Sequence, residues 1–592
     1  MEFSKRTHHC AALTVGDENK KVILCGWVDS VRDHGGVLFV DLRDRYGRTQ
    51  IVFNPEAGKE ITESAEKLRS EFVICIEGEV KKRSQETINS KLKTGEIEVF
   101  AKDLEVLSTC EPLPFPLEDN LDVSENLRLK YRFLDLRRAS FQKNFIFRHK
   151  VVRSVRNYLD TEGFLEIETP YLTKSTPEGA RDYLVPSRVH NGKFYALPQS
   201  PQLFKQILMI SGYERYFQVV RCFRDEDLRA DRQPEHTQID MELSFVDEDV
   251  IHDVIERMIQ KIFKDCLDVD ITIPFQRINY EEAMNLYGSD KPDLRIPEVI
   301  HNLSGISKDV SFNVFKKVLS IEEGVIYGLC GSGLAESASI KDMNDLTAFA
   351  ISFGAKGLAW IRIMNDGSFK SPIVKFFDEA TLKKYQEELQ AKCGDVMFFV
   401  ADIKKVARNV LGALRLKLAK DKGTLQYNDY KLLWVNKFPL LEWSEDEKRY
   451  SAVHHPFTMP DIKNIDELIN DPASVTAKAY DLVLNGTELG GGSIRIHDTK
   501  LQEEMFKILG MDIESARIKF GFLLDALKFG APPHGGIAIG LDRLIMLLLG
   551  LGSIRETIAF PKTQKATCLM TESPSDVSEK QLKELGICIE EE

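Results

Sequence analysis

A charged stretch within residues 216–245 carries residue types that could do chemistry. Its arginines are interleaved with carboxylates, as Arg221, Arg224, Arg229 and Arg232 among Asp225, Glu226, Asp227 and Asp231. A guanidinium grips a phosphate through two parallel hydrogen bonds, and carboxylates bind metal ions or amines. The stretch therefore has two interpretations: a cradle for a polyanion, or a hairpin whose charges face water. Residues elsewhere in the chain must decide between them.

The segments on either side of these charges must position them. Phe217 and Cys222 lie among β-forming residues, and residues 237–243 alternate polar and apolar side chains with a period of two. Residues 225–235 are too charged to bury and contain Pro234. The pattern predicts two strands joined by a long loop.

Further polar segments recur between predicted strands and helices. Residues 175–182 and 452–458 are polar loops, residues 198–206 lead into a predicted helix, and residues 479–496 and 535–543 are β-forming stretches that carry single polar residues. His454 and His455 could suggest a metal site, but adjacent residues rarely bind one ion, and no cysteine or third histidine is near them in sequence. We therefore expect no zinc there. Helical apolar spacing predicts a helix over 145–162, and Pro170 ends a predicted strand at 164–170.

The first 110 residues follow a different pattern. They contain five short β-forming runs, with a helical segment at 61–68 between the third and the fourth. That order is typical of an OB-type barrel, whose strand face binds single-stranded nucleic acid by stacking and polar contacts. Arg32, Phe39 and Gln50 are candidates for that face. The alternative for Phe39 is a place in the barrel core, as for most apolar strand residues.

Length and composition limit the class of protein. A chain of 592 residues is too long for one core and predicts roughly three to four domains. Its 43% hydrophobic content includes no run long enough to span a bilayer, and its N-terminus has no apolar signal segment. Ten cysteines without a CxxC pair favour a reducing cytosol, so we expect a cytoplasmic protein. The net charge of −13 argues against nonspecific coating of nucleic acid.

These patterns predict a multidomain α+β protein. The expected divisions are residues 1–110 (OB-fold barrel), 111–140 (proline-containing, basic hinge), 141–285 with 428–565 (a domain of antiparallel strands), 286–427 (an inserted α+β domain) and 566–592 (an acidic C-terminal extension). The insertion has no dense set of ligand residues, and we expect it to pack against the main domain.

Taken in order, several stretches resemble the class II aminoacyl-tRNA synthetases. Residues 163–170 (GFLEIETP), 223–226 (FRDE) with 239–242 (IDME), and 535–543 (GGIAIGLDR) are similar to the three motifs of the class. Within the class, residues 175–183 (STPEGARDY) and 201–205 (PQLFK) are similar to aspartate-specific signatures. The insertion resembles the GAD-like domain of the bacterial-type aspartyl-tRNA synthetases. The domain of antiparallel strands would then be the class II catalytic domain.

The resemblance implies a ligase that joins L-aspartate to tRNA(Asp) in two steps. The α-carboxylate of aspartate attacks the α-phosphate of ATP, and the terminal ribose 3′-hydroxyl of the tRNA then takes the aspartyl group. Such chemistry needs positioned charge more than a protein nucleophile. By resemblance, Arg224 bridges the α-phosphate and the attacking carboxylate, and Arg543 takes the terminal phosphates. These two arginines would be the catalytic residues.

The resemblance also implies an ATP-binding set. Glu226 would hold the adenine amino group, and Gln233 would help position the nucleotide. His236 stands where many relatives have a stacking Phe, a departure that still permits stacking. The whole set is Arg224, Asp225, Glu226, Gln233, His236, Glu488, Gly540, Leu541, Asp542 and Arg543. Asp481 and Glu488 would bind Mg²⁺, which prefers oxygen ligands; the alternative for Asp481 is a turn residue.

Specificity for aspartate is expected to rest on Arg495. Paired with a short carboxylate, it would reject asparagine, whose amide cannot make the charge-assisted bond. Lys205 would share that carboxylate, and His454 and Glu178 would lie on loops that close over the substrate. The implied aspartate-binding set is Glu178, Ser200, Gln202, Lys205, Arg224, Asp240, His454 and Arg495.

In the barrel, the resemblance implies an anticodon site. Phe39 and Gln50 match positions that stack on and read the central base, and Arg32 and Glu98 match flanking contacts. His34 stands where relatives strictly specific for tRNA(Asp) often have Leu. We therefore hypothesise a non-discriminating enzyme that also aspartylates tRNA(Asn). The class resemblance further implies a homodimer.

Two alternatives stay open at this point. An asparaginyl-tRNA synthetase shares the motifs and the barrel, although the insertion, and residues 202–205 together with Arg495, argue against it. A catalytically inactive RNA-binding paralogue would typically have lost one of the two motif arginines, Arg224 or Arg543, and both are present.

Overall fold

The computed structural model describes residues 3–55, 58–119, 122–176, 181–226 and 232–590. The chain forms two compact units, Met1–Arg128 with Phe133–Gln142 and Leu129–Arg132 with Lys143–Glu592. Within the described residues, no helix is long and apolar enough to cross a membrane.

A closed five-stranded barrel makes up much of the first unit. In the order β1-β2-β3-β5-β4, its strands are β1 (Lys21–His34), β2 (Val37–Asp44), β3 (Gly47–Phe53), β5 (Ile97–Ser108) and β4 (Val73–Lys82). Helix α1 (Lys59–Glu66) lies between β3 and β4, as predicted. Burial alternates along β1, so Val22, Leu24 and Val28 point into the core. The predicted OB-type barrel is confirmed.

The segment predicted as a hinge contains helices. These are α2 (Glu125–Lys130) and α3 (Arg132–Asp135), followed by the long α4 (Ala139–Thr161). Helix α4 begins earlier than the predicted start at residue 145. Its Val151 and Val155 are fully buried in the main core of the second unit, which explains the helical apolar spacing in the sequence.

An eight-stranded sheet forms the centre of the second unit. Its order is β11-β17-β20-β21-β22-β10-β9-β6, and its strands are β6 (Leu165–Glu166), β9 (Arg215–Phe223), β10 (Glu235–Ser244), β11 (Gln276–Asn279), β17 (Leu432–Asn436), β20 (Ala479–Leu484), β21 (Thr487–Ile494) and β22 (His534–Gly540). All neighbours are antiparallel except β6 with β9 and β11 with β17. The predicted charged hairpin is β9 and β10. The strand predicted at 164–170 is shorter than expected, because only two of its residues join the sheet.

Glycines let the central strands approach closely. A Cβ atom on Gly490 or Gly492 of β21 would collide with the backbone of β22, and one on Gly491 would collide with the Asp481 carboxylate. The glycine-rich sequence therefore serves packing, and it leaves room for a carboxylate on β20.

The second unit contains further helices and short strands outside this sheet. The helices are α5 (Gln202–Ile210), α6 (Glu248–Leu267), α7 (Tyr280–Tyr287), α12 (Ile465–Asn470), α13 (Thr499–Ile508), α14 (Ile513–Leu527), α15 (Leu541–Leu549) and α16 (Glu579–Leu585). Two-stranded ribbons are formed by β7 (Leu184–Pro186) with β8 (Phe194–Ala196) and by β18 (Leu441–Ser444) with β19 (Arg449–Ala452). Helix α6 packs its buried face, which includes Ile255 and Ile259, against the sheet core.

The insertion has its own five-stranded sheet, in the order β12-β13-β16-β14-β15. Its elements are β12 (Ile300–Asn302), α8 (Asn313–Leu319), β13 (Gly324–Gly331), α9 (Ile340–Ser352), β14 (Ala359–Ile363), β15 (Phe369–Lys370), α10 (Glu379–Glu388), β16 (Val396–Ile403) and α11 (Lys404–Asp421). The predicted α+β character is confirmed, although the sequence analysis did not identify β16 or α11. Helix α11 contacts α7, where Arg408 pairs with Glu281.

Candidate active site and anticodon face

A cavity of about 190 Å³ lies against β10, β21 and β22. Its lining includes eight of the ten residues predicted to bind ATP, namely Arg224, Glu226, Gln233, His236, Glu488, Gly540, Asp542 and Arg543. These residues come from both ends of the hairpin loop, from β21 and from the start of α15. The fold thus brings together positions that lie more than 300 residues apart in sequence.

Two arginines face this cavity from different elements. Arg224 follows β9, and its amide donates to Pro234 O at 2.8 Å, which closes the base of the loop. Its Nε is buried and has no hydrogen-bond partner among the described residues. Arg543, on α15, donates from Nη1 to Glu488 O at 2.7 Å. A buried guanidinium N–H without an acceptor is costly, so this cavity suits an anionic ligand.

His236 lines the cavity as a neutral ring. Burial, followed by the charges of Arg224 and Arg543, lowers the pKa of His236 to about 3. The imidazole is therefore uncharged at neutral pH. A flat, neutral ring in a cavity that two arginines also line can stack on an aromatic base.

Two carboxylates could bind a cation beside these arginines. A register shift between Leu482 and Val483 places Glu488 opposite Val483, while Asp481 lies opposite Gly491. Burial and then the charge of Asp481 raise the pKa of Glu488, and a divalent cation would relieve that repulsion. In the part of the chain described, no group of three or more His, Cys, Asp or Glu could hold a metal. The two carboxylates fit Mg²⁺ only if nucleotide phosphates complete its coordination, which is a common arrangement for this ion.

Some predicted ATP residues are engaged with protein partners. The Gln233 amide accepts from Lys562 N at 2.7 Å and donates to Lys562 O at 3.0 Å. The Asp542 carboxylate accepts from Arg148 Nη1 at 2.5 Å and from Thr237 N at 2.8 Å. Both side chains therefore fasten the walls of the cavity together, a role that the sequence analysis did not anticipate.

Two further predicted ATP residues do not line the cavity. Leu541 packs in the main core, so only its backbone could meet a ligand. Asp225 pairs in an isolated β-bridge with Arg181, whose Nε lies 4.0 Å from an Asp225 carboxylate oxygen. Neither side chain is therefore part of the cavity lining, and the assignment of both residues to ATP stays a prediction.

A second polar cluster is buried beside the sheet. Lys205 Nζ, on α5, lies 3.0 Å from Asp240 and 3.3 Å from Glu242, both on β10. Arg495 donates from Nε and Nη2 to the two carboxylate oxygens of Glu242 at 2.9 and 3.1 Å. Burial, partly offset by Lys205, raises the pKa of Asp240 to about 6. Arg495, against the effect of burial, keeps the pKa of Glu242 low.

Unpaired polar atoms in this cluster indicate a polar ligand. Asp240 Oδ1 and Gln202 Nε2 are both buried and have no hydrogen-bond partner among the described residues. One is an acceptor and the other a donor, so a molecule with both an ammonium and a carboxylate could satisfy them. Ser200, also predicted for this site, accepts from Gln202 N at 3.3 Å.

Of the two residues predicted on loops that close over the substrate, the structure describes His454 but not Glu178. His454 Nε2 lies 3.6 Å from Asp481, and its ring meets Phe438 edge-on at 4.7 Å. This contact places His454 beside the carboxylate pair. Glu178 lies outside the described residues.

Three residues of this cluster were missed by the sequence analysis. Glu242 and Ser493 both accept hydrogen bonds from Arg495, and His455 Nε2 lies 2.5 Å from Arg495 Nη1. Glu242 could have been found, because it stands two residues from Asp240 on a strand and so points to the same side of the sheet. Ser493 could have been found in the same way, because it stands two residues before Arg495 and so points to the same side of the sheet.

The barrel brings its four predicted anticodon residues together. Arg32 Nη2 donates to Gln50 Oε1 at 3.4 Å, and Gln50 Nε2 donates to Glu98 at 3.0 Å. Phe39 pairs with Arg32 across β1 and β2 and is partly exposed outside the barrel core. The alternative that Phe39 is a core residue is therefore wrong.

Two neighbours complete that network. Asp41 accepts from Arg32 Nη2 at 2.9 Å, and Arg83 Nε lies 3.7 Å from Glu98. Neither residue was predicted from the sequence. His34, at the exposed end of β1, places its ring 5.8 Å from that of Phe39. The proposed discriminating position is thus adjacent to the proposed stacking residue.

Comparison with known proteins agrees with this geometry. The OB-fold nucleic acid binding domain family matches residues 22–107, and the family tRNA synthetases class II (D, K and N) matches residues 124–564. The chain belongs to the class II aminoacyl-tRNA synthetases of that group.

Relatives that match over their full length indicate which family within the class II synthetases this chain belongs to. The chain is 56% identical over 586 residues to Aspartate--tRNA(Asp/Asn) ligase of Caldanaerobacter subterraneus subsp. tengcongensis, covering 99% of this chain and 98% of the relative. It is 53% identical over 588 residues to Aspartate--tRNA ligase of Staphylococcus haemolyticus, covering 99% of this chain and 100% of the relative. Within the class, it is a member of the bacterial-type aspartyl-tRNA synthetase family, and the predicted resemblance is confirmed.

Solved structures support the fold alone. Asparaginyl-tRNA synthetase from Pyrococcus horikoshii, complexed with asparaginyl-adenylate, aligns with a TM-score of 0.59 at 20% identity, over 94% of this chain and 98% of that one. A second solved structure of this Pyrococcus horikoshii synthetase aligns with a TM-score of 0.56 at 20% identity, over 94% of this chain and 98% of that one. At this identity the likeness does not favour asparagine as the substrate.

Proposed function

We propose that this aspartate–tRNA ligase forms aspartyl-adenylate between Arg224, Arg543 and the Lys205–Arg495 cluster, and that it charges both tRNA(Asp) and tRNA(Asn). The first step joins an aspartate carboxylate oxygen to the α-phosphorus of ATP and breaks the bond to pyrophosphate. In the second, the terminal ribose 3′-hydroxyl attacks the aspartyl carbonyl, and AMP leaves.

The observation that carries this proposal is the set of unpaired buried atoms. Asp240 Oδ1 would accept from the substrate ammonium, and Gln202 Nε2 would donate to a substrate oxygen. The unpartnered Nε of Arg224 would donate to the α-phosphate. The Arg224 guanidinium is already removed from water in the folded protein. It therefore stabilises the negative charge that grows on the phosphoryl oxygens in the transition state more strongly than it would in water.

Recognition of the aspartate side chain is assigned to Arg495 and Lys205. Both cations are buried, and Glu242 and Asp240 balance their charges within the cluster. A carboxylate entering this cluster offers two charged acceptor oxygens to the two cations, whereas an amide offers one uncharged acceptor oxygen and turns an NH2 donor toward them. This difference supports aspartate over asparagine and argues against an asparaginyl-tRNA synthetase.

Mg²⁺ would be held by Asp481 and Glu488, and it would supply positive charge to the nucleotide phosphates. Support comes from the burial of Asp481, from the partial burial of Glu488, and from the charge of Asp481, which together with burial raises the pKa of Glu488. The residues of this chain then orient the nucleotide: Arg543 from the side of α15 and His236 by stacking.

Charging of tRNA(Asn) is proposed from two facts. His34 lies next to Phe39 on the barrel face, and relatives 55–56% identical to this chain carry the name Aspartate--tRNA(Asp/Asn) ligase. Homologues named Aspartate--tRNA ligase are 53–54% identical, so identity alone does not separate the two specificities.

A homodimer is also proposed. Leu165, Tyr171 and Leu172, in and just after the first class motif, are each about half exposed although apolar. Burial against a second copy would remove this surface from water. Light scattering at micromolar concentration tests it: a mass near 67.4 kDa would contradict the dimer.

The activity is tested in two assays. Exchange of pyrophosphate into ATP should depend on aspartate and not on asparagine. Charging of tRNA(Asp) and tRNA(Asn) transcripts should then proceed with both. Exchange with asparagine alone would favour the asparaginyl enzyme, no exchange would favour an inactive paralogue, and charging of tRNA(Asp) alone would contradict the dual specificity.

A further inference from the structure

Arg495 has no hydrogen-bond donor left for a substrate. Each of its five N–H groups already points at an acceptor. The acceptors are Glu242 Oε1 (2.9 Å), Glu242 Oε2 (3.1 Å), Gly536 O (3.4 Å), Ser493 Oγ (2.8 Å) and His455 Nε2 (2.5 Å). A carboxylate can reach this guanidinium only if one of these partners gives way.

The partners differ in how firmly the fold holds them. Glu242, Ser493 and Gly536 lie on β10, β21 and β22, three neighbouring strands of the central sheet. Glu242 and Ser493 are fully buried. His455 instead lies on the segment after β19 and is partly exposed. It is the partner that can leave Arg495 without disrupting the sheet.

The His455 ring also cannot accept both of the hydrogen bonds that point at it. The Phe457 amide points at His455 Nδ1 from 3.2 Å, while Arg495 Nη1 points at Nε2. A neutral imidazole has a single acceptor nitrogen, and burial followed by the charge of Arg495 keeps the ring neutral by lowering its pKa. One of the two donors therefore faces another N–H. If Arg495 turned to a different acceptor, Nδ1 could accept fully from Phe457.

We propose that His455 is a displaceable internal ligand of Arg495, which holds the guanidinium in the empty site and is replaced by the side-chain carboxylate of the substrate. This inference rests on the proposed role of Arg495 in binding aspartate. His455 is a positioning residue, and it competes with the substrate. A competitor that every ligand must displace weakens all of them by the same factor, so it does not itself select aspartate over asparagine.

The test is aspartate binding to the full chain, measured by calorimetry without ATP. In His455→Ala the aspartate Kd should fall about threefold to tenfold, which is the range for one competing hydrogen bond. The ratio of asparagine to aspartate affinity should stay unchanged. His455→Gln, whose amide oxygen can accept the same N–H, should restore the wild-type Kd within about twofold. His301→Ala in the inserted domain is the control and should change nothing.

A second readout follows the ring directly. With ¹⁵N-labelled histidine, aspartate should shift the His455 ring signals of the wild-type protein, and the assignment comes from their loss in His455→Gln. An aspartate Kd that is unchanged or weaker in His455→Ala overturns the proposal, as do ring signals that aspartate leaves in place. Failure of the proposed function is recognised separately, because wild-type protein would then show no aspartate-dependent pyrophosphate exchange.

Discussion

The polar cluster around Arg495 and the outer face of the barrel use similar residues under different solvation. Side chains of Lys205 and Arg495 are each 2% exposed, whereas the side chain of Arg32 in the barrel is 44% exposed. In the cluster, charges are neutralised by partners within a dry sheet. On the barrel face, the same kinds of pairs remain in contact with water, where each contributes less.

The two regions also differ in how many buried polar atoms they leave without a hydrogen-bond partner. The catalytic region keeps unpaired buried atoms on Arg224, Gln202 and Asp240. The barrel face instead joins Arg32, Gln50 and Glu98 in a chain of hydrogen bonds to one another and, among the described residues, leaves an unpaired buried atom only on their neighbour Arg83, at Nη2. A small ligand in the catalytic region would add bonds, while a nucleotide at the barrel must exchange them. We therefore expect substitutions to cost more in the first region than in the second.

The largest effect should follow Arg224→Ala. Removing a buried donor aimed at developing phosphate charge should lower the rate of pyrophosphate exchange about a hundredfold to a thousandfold. Binding of tRNA in a filter assay should be nearly unchanged, because the proposed anticodon site lies on the barrel and not at Arg224. Arg257→Ala, in an exposed pair on α6, is the control. Loss of exchange and tRNA binding together would mean that Arg224 is structural and would remove the contrast between the regions.

Glu242→Gln should give the next largest effect. Arg495 and Lys205 would lose their shared counter-ion in a buried site, so the cluster would be both less stable and less well oriented. We expect the aspartate Kd to rise about tenfold to a hundredfold and the melting temperature to fall. Asp253→Asn removes the carboxylate from an exposed pair and should change neither. Equal effects in the two variants would show that burial does not set the cost.

A smaller effect is expected for Phe39→Ala on the barrel. Loss of one stacking surface should raise the KM for tRNA about tenfold, with pyrophosphate exchange unchanged. The matched control is Phe353→Ala, because Phe353 is a partly exposed aromatic residue after α9 in the inserted domain. If pyrophosphate exchange fell as far as tRNA charging in Phe39→Ala, the barrel face and the catalytic region would not have the separate roles proposed for them.

Residues within the class motifs could be predicted from the sequence, whereas most of the residues that contact them could not. Arg224, Glu488 and Arg543 could be identified because residue type and order resemble a known family, and the structure brings them to one cavity. His455 could not be identified as a partner of Arg495, because the contact joins a loop to a strand 40 positions away. Asp41 and Arg83 were missed for the same reason: their meaning depends on strand register in the barrel, which residue types alone do not fix.

Element boundaries were predicted less well where tertiary contacts decide them. The first class motif was expected as a strand over 164–170, yet only β6 pairs with β9. In the insertion, β16 is almost wholly buried, and its apolar run lacks the alternation by which half-buried strands are recognised. Its identity as the central strand of that sheet therefore appears only in the structure.

The smallest effect on activity should come from His236→Phe. A phenyl ring preserves stacking, so pyrophosphate exchange at pH 7.5 should stay within about twofold of wild type. Stability should change with pH instead. His236 has a pKa of about 3 in the folded protein and about 6.5 when unfolded, so between these values the unfolded chain binds an extra proton and stability falls as pH falls. The Phe variant lacks this term, and the pH slope of its unfolding free energy should be smaller by up to about 1.4 kcal/mol per pH unit. Urea titrations at pH 5.0, 6.0 and 7.5 measure it; an identical slope in both proteins would mean that burial and the neighbouring arginines do not lower the pKa of His236 in the folded protein.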